Sequence, residues 1–291
     1  MEVNCEGCAG CCLDWRALAP DDADHGHERR GRYRPLDDID NLAPVSSDEV
    51  RAFLAEGLAS ALVARLFRID DGPSVAVGGV EVAALGGRPA FLVGLRKVPK
   101  PVAPFGAESR WLPTCAFLDP VTLQCRIHDS GVYPETCSTY PGDNLALDAE
   151  TECERVERAH GGERLVDDDP PEDADPVLGP GAVGARVFAH PDVDRIEGAV
   201  ERLAAGEATR ADHAEFVAVA AASAPGTLTV SDERCERARE RALEADSWVG
   251  GAVAEWTDRA DGEPPDPGVA ATVEGDRGAP PTPGWDDRPD R

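Results

Sequence analysis

The chain reads as an α+β protein: a small cysteine-rich, metal-nucleated core of short β hairpins and packed amphipathic helices, followed by a C-terminal helical region. Three observations predict this. Seven of the nine cysteines fall into two tight groups, at 5–12 and 115–137. Apolar residues recur at helical spacing near 46–66 and again from 193 onward, while Val- and Leu-rich runs broken by glycine pairs fill 75–95.

In chain order, Ser46 and Glu49 form a capping box ahead of a helical face made by Val50, Phe53, Leu54, Leu58, Ala61, Leu62 and Leu66. Residues 75–84 and 89–95 are β-like, with turns at Gly78-Gly79 and Gly86-Gly87. Val193, Ile196, Val200 and Leu203 mark a helix after Pro191. Thr209 with Asp212 caps the next, which carries Phe216, Val219 and Ala220. Ser231 N-caps a further helix, with Asp232 and Glu233 in its first turn. Its seam, Cys235, Ala238, Ala242, Ala245, Val249, Ala252 and Trp256, alternates spacings of three and four, which makes Cys235 a core residue and not a ligand.

The domain reading follows. Residues 1–160 form a cysteine-cluster domain, with 46–104 a helix-plus-hairpin insertion. Residues 161–182, holding Asp167-Asp168-Asp169-Pro170-Pro171, are an acidic Pro-rich linker, 183–257 are a helical region, and 258–291 are a disordered acidic tail.

Charge excludes several partners. There are 56 acidic against 29 basic residues, a formal net charge of −27, and only Lys97 and Lys100 are lysines. Such a chain repels phosphate backbones and anionic lipid, so neither nucleic acid nor a membrane is an expected partner. No apolar run approaches the ~18 residues that span a bilayer, and no signal peptide is visible, which points to a cytoplasmic protein. Acidity with so little lysine suits a halophilic cytoplasm, where salt screens self-repulsion.

The cysteines carry the function. Cys5, Cys8, Cys11 and Cys12 read Cys-x-x-Cys-x-x-Cys-Cys, and two-residue spacing lets a chain turn so that sulfurs face one point. Gly7 and Gly10 allow the tight turn. Adjacent Cys11 and Cys12 point different ways and do not both bind one ion in the simplest geometry. In the second group, Asp119-Pro120 turns a hairpin that brings Cys115 near Cys125, and Pro134-Glu135 starts a short helix whose dipole favours thiolate at Cys137. In a reducing compartment clustered thiols are metal ligands more often than disulfides. Cys153 and His128 are further candidate ligands, and His25 and His27 sit in an acidic loop.

Taken together, Cys5 to Cys12, Cys115-Ala-Phe-Leu, Cys125-Arg-Ile-His128 and Tyr133-Pro-Glu-Thr-Cys137-Ser-Thr-Tyr-Pro141 resemble the YkgJ-type cysteine-cluster family, described as a zinc- or iron-chelating domain. The resemblance spans residues 5–141, apart from 46–104. It departs at Tyr133, where the family commonly has Arg, and at Ser138, where the family's Arg follows the cysteine. It implies a metal ion as partner, with zinc or iron (an iron–sulfur cluster included) held by Cys5, Cys8, Cys11, Cys12, Cys115, Cys125 and Cys137. Some relatives are linked to lysine N-methylation, which makes a metal-dependent protein-modifying enzyme the alternative function, with thiol redox chemistry a third. Tetrahedral thiolate coordination serves zinc and iron–sulfur alike, so the spacing leaves the two open.

Overall fold

A computed structural model describes residues 1–20, 32–170 and 180–286, and shows a mixed α and β fold. His25 and His27, positions 171–179 of the linker, and the last five residues lie outside the described residues.

The chain opens with β1 (Glu2–Val3) and the cysteine turn, then β2 (Tyr33–Pro35). Helix α1 (Ser47–Ala55) starts at Ser46 with the expected reciprocal capping box to Glu49. It stops well short of Leu66. Gly57 takes a left-handed φ of 69°, and Leu62, Ala64 and Leu66, every second residue, share one buried face, so Leu62–Ile69 is strand β3. Leu62 and Leu66 therefore belong to a strand face, because alternation over one buried sheet surface outweighs a chance helical spacing.

Strands β4 (Ser74–Val77), β5 (Val80–Leu85) and β6 (Arg88–Leu95) follow. Both tight turns between them are glycine pairs at positive φ. Together β2-β3-β6-β5-β4, with a later strand on β6, form one six-stranded sheet. A separate hairpin joins β7 (Lys97–Val102) to β8 (Arg110–Cys115), pairing Lys97 with Cys115.

Short helices α2 (Glu135–Thr139) and α3 (Gly142–Ala146) lead to α4 (Glu152–His160), capped by a Thr151–Glu154 box. Strand β9 (Leu165–Asp167) returns to pair with β1, so the start of the linker region is sheet-bound. Strand β10 (Phe188–Ala189) adds to β6, and α5 (Glu197–Ala205) and α6 (Arg210–Ala222) follow. Alanine-rich α6 is buried on almost every side, packing on α1, on β3 and on the next helix. Thr209 and Asp212 cap it, and Arg202 holds the Asp212 carboxylate.

The single seam expected from Cys235 to Trp256 is two helices, α7 (Asp232–Glu244) and α8 (Trp248–Ala260). Ala245 leaves helical backbone with ψ 120° and Ser247 is extended, so the break falls around Asp246. Both halves still bury the predicted residues: Cys235, Ala238 and Ala242 on one, Val249, Ala252 and Trp256 on the other.

The C-terminal segment is the largest correction. Residues read as a disordered tail form α9 (Pro267–Asp276), N-capped by Asp266, and an ordered strap to Asp286. Composition misled because so few groups anchor it, yet those few are strong. Ala270 and Val273 join Val98, Ala252 and Trp256 in a satellite core. Glu274, fully buried, pairs with Lys100 at 2.7 Å and with Arg126 at 2.9 Å. Beyond it, Arg126 donates to the Pro280 carbonyl, Gly284 N–H donates to Gln124, and Trp285 donates to the Thr122 carbonyl. Among the described residues no helix is long and apolar enough to cross a membrane.

Two predictions arise here. Glu274→Ala leaves buried Lys100 unpaired and strips Arg126 of one of its two carboxylates, and should cost about 3–5 kcal/mol in denaturant unfolding at high salt; a variant as stable as the parent would refute the strap. Buried His213 accepts a hydrogen bond from Ala64 N–H on Nδ1, and burial, with Arg96 nearby, pushes its pKa down to about 3. The unfolded chain then binds a proton that the native state does not, so stability falls as pH drops from about 6.5 toward 3, by about 1.4 kcal/mol per unit. His213→Asn should unfold with a shallower pH dependence over that window, by about one proton.

Candidate metal centre

The N-terminal turn is built for thiols. Cys8 N–H bonds to the Cys5 carbonyl, Cys12 N–H to the Ala9 carbonyl, and a single turn of 3-10 helix spans Gly10–Cys12. The two glycines serve different ends. Gly7 takes φ 64°, a left-handed turn, but at the second position the left-handed residue is Ala9 and Gly10 is needed for space. A Cβ on Gly10 would lie 2.7 Å from Val156 Cγ2, so the turn packs directly on α4. Gly10 N–H also donates to Cys8 Sγ at 3.4 Å.

The second group forms as expected. A bridge between Leu118 and Cys125, with Arg126 N–H bonded to the Phe117 carbonyl, closes the hairpin around Asp119. Asp119 accepts from Val121 and Thr122 N–H and pairs with Arg126. Helix α2 carries Cys137, and Thr136 ties it down by donating to the Pro44 carbonyl.

Together these elements enclose a cleft of about 150 Å³ lined by Cys11, Cys12, Cys115, Cys125 and Cys137. Its apolar walls include Leu42, Leu95 and Ile127, and Tyr133, Tyr140 and Glu152 also face it. Cys5 and Cys8 do not line this cleft. They lie on the α4 side, where the charges of Cys11, Cys5 and Cys8 bear on half-buried Cys153. His128 is exposed, paired with Asp129 at 2.9 Å and packed on the Tyr133 ring, outside the cleft.

All nine cysteines are free thiols. Burial pushes Cys8 up to about 11, against the opposing Gly10 N–H, and pushes Cys125 up to about 12, with Cys115 adding repulsion. Cys137 is also raised, by burial first and then by Cys115 and Cys11. The expected thiolate-favouring effect of α2 is overridden, since a five-residue helix has a weak dipole and the desolvation cost is larger. Cys11 is exposed at the cleft but its thiol is crowded: contact with Cys12, 3.8 Å between sulfurs, raises it most, and surrounding protein adds to this. Among the described residues, the one set of three potential ligands whose atoms all lie within 4.8 Å of one another is Asp167, Asp168 and Asp169. These are exposed, and Asp167 already binds the N-terminal ammonium.

The residue that sequence reasoning missed is Lys97. It lines the cleft, and its buried Nζ has no hydrogen-bond partner. Burial pulls its pKa down, while Cys12, Asp40 and Cys115 pull the other way. Its signal was rarity: one of two lysines in the chain. Glu152 was also missed. It is buried, accepts from Trp15 Nε1 at 2.8 Å and Arg155, and its N–H donates to the Tyr140 hydroxyl at 2.5 Å. Burial raises its pKa.

Gly10→Ala should cost about 1–3 kcal/mol in unfolding free energy through the clash with Val156, whereas Gly7→Asn, which tolerates left-handed backbone, should cost less. Equal costs would contradict the packing of the turn on α4.

Residues 1–286 match the model of a family described as a family of unknown function, DUF7531, and the chain belongs to that family. No curated protein and no solved structure matches it.

Proposed function

We propose that this DUF7531 member is a metal-binding protein whose cleft cysteines hold an iron–sulfur cluster. The observation that carries the reading is the pairing of five clustered thiols with a buried, unpartnered ammonium at Lys97. An ammonium without a counter-charge costs several kcal/mol to bury. A thiolate-held metal group supplies that counter-charge: four thiolates around one divalent ion leave a net charge of about −2. The raised thiol pKa values fit the same account, since metal binding displaces those protons and its free energy becomes folding free energy.

The size of the site favours a cluster over a lone zinc ion: a cavity of about 150 Å³ holds a benzene-sized guest, far more than one ion. Backbone N–H groups at Phe117, Ile127 and His128 face the Cys115 and Cys125 sulfurs. Such bonds, with apolar walls, tune a cluster's potential. Cys12, Cys115, Cys125 and Cys137 are the ligands we assign, with Cys11 at the junction toward Cys5, Cys8 and Cys153. The reading agrees with the chelation implied by the YkgJ-type resemblance.

Anaerobic purification in high salt, followed by elemental analysis and visible absorption, tests it. Iron and acid-labile sulfide with broad visible absorption are expected. Colourless protein with stoichiometric zinc would replace the cluster with a structural zinc site, and metal-free folded protein would remove both. Cys125→Ala should lose the metal and much of the folding free energy that it supplies. Cys235→Ala, on α7 away from the cleft, should keep its metal at wild-type stoichiometry.

A further inference from the structure

A second cavity, of about 320 Å³, lies where α7 hands over to α8, and it is lined by Arg96 and Arg210 with Ser60, Asp246, Ser247 and Gly250. Both arginines belong to its lining, and Asp246 is the one carboxylate among the residues that line it. Among the described residues Arg96 makes no ion pair, and its buried Nε has no hydrogen-bond partner. Arg210 donates to the Ala242 and Ala245 carbonyls and likewise makes no ion pair among the described residues. This is anomalous in a chain with 56 acidic residues, where arginines elsewhere find carboxylates readily. Burial, and then the like charge of Arg210, pulls the Arg96 pKa down.

The same cavity receives the N-terminus of a thirteen-residue helix. Ser247 is the N-cap of α8, but its side chain makes no cap bond and its buried Oγ has no partner. The first N–H groups of a helix lack intrahelical partners and carry a partial positive charge. A glycine at position 250 keeps the approach open, since a Cβ there would reach 3.0 Å from Ser60 Oγ. Asp246 stands exposed beside the cavity and pairs with neither arginine.

We propose that this cavity binds the phosphoryl group of a small phosphorylated molecule. Two guanidinium forks suit the oxygens of a doubly charged oxyanion, which the Ser247 hydroxyl and the uncapped helix terminus complete. The volume falls in the range of small-molecule sites, about 300–1,000 Å³, leaving room for an organic moiety beyond the phosphate. The proposal does not depend on the metal reading, because the cavity shares no residue with the cysteine cleft.

The test titrates inorganic phosphate into the full chain at fixed high ionic strength in potassium chloride, read by calorimetry and thermal midpoint, with acetate as the competing anion. Saturable binding of phosphate, tighter than acetate, is expected. Arg96→Gln should weaken it by at least about tenfold, the worth of one charge-assisted hydrogen bond, while the unloaded variant melts no lower than the parent. Ser247→Asp provides a folding-neutral check: aspartate is a good N-cap, so the protein folds, but its carboxylate occupies the anion position and should abolish phosphate binding. No saturable phosphate binding, acetate binding as tightly as phosphate, or undiminished binding in Ser247→Asp would each overturn the proposal.

Discussion

Glu274 has no accessible surface, yet its carboxylate sits between two cations that come from different parts of the chain. Lys100 projects from β7, and Arg126 follows Cys125 in the hairpin. One carboxylate therefore ties α9, the β7–β8 hairpin and the cysteine-bearing hairpin into a single unit. Lys100 also donates to the Ala116 and Leu118 carbonyls, and Arg126 pairs with Asp119 and donates to the Pro280 carbonyl, so each cation is held from more than one side. A buried ion pair adds little net stability compared with apolar packing, but it tolerates no missing partner. The position of Cys115 and Cys125 thus depends on a helix more than 140 residues further along the chain.

Strand β7 and the residue before it form the cationic spine of an acidic protein. Neighbouring residues on extended backbone point to opposite sides. Arg96 accordingly lines the α8 cavity, and Lys97 lines the cysteine cleft. Lys100, three residues on, meets Glu274. Both lysines of the chain lie on this strand, and each is buried at its ammonium. Their surroundings differ in one respect. Lys100 has its carboxylate within the fold, whereas Lys97 and Arg96 face cavities and make no ion pair among the described residues.

Much of this was legible in the sequence where the determinants are local. The capping boxes at Ser46 and Thr209 and the N-cap at Ser231 begin helices where expected. The Asp119-Pro120 hairpin and the short helix at Glu135 also form. Errors arose where a local signal was ambiguous or a long-range one decided. Leu62 and Leu66 satisfy helical spacing by coincidence but lie on a strand, and a seam continuous in spacing from Cys235 to Trp256 is broken at Asp246. The tail looked too polar to fold because composition counts apolar residues, not a single buried carboxylate.

The sequence by itself determined which residues could act together within a turn: Cys5 to Cys12 on a tight loop, Cys115 beside Cys125, and Cys235 on a core face. Those outcomes follow from backbone closure over a few residues, which spacing, glycine and proline encode directly. Only the tertiary structure decided that Cys11 and Cys12 face the 115–137 group while Cys5 and Cys8 sit beside α4 with Cys153. It alone brought an unpaired ammonium to the thiols and two unpaired arginines to a helix terminus. Burial is a property of the packed chain, and the cost of a buried charge is set by neighbours that the sequence keeps far apart.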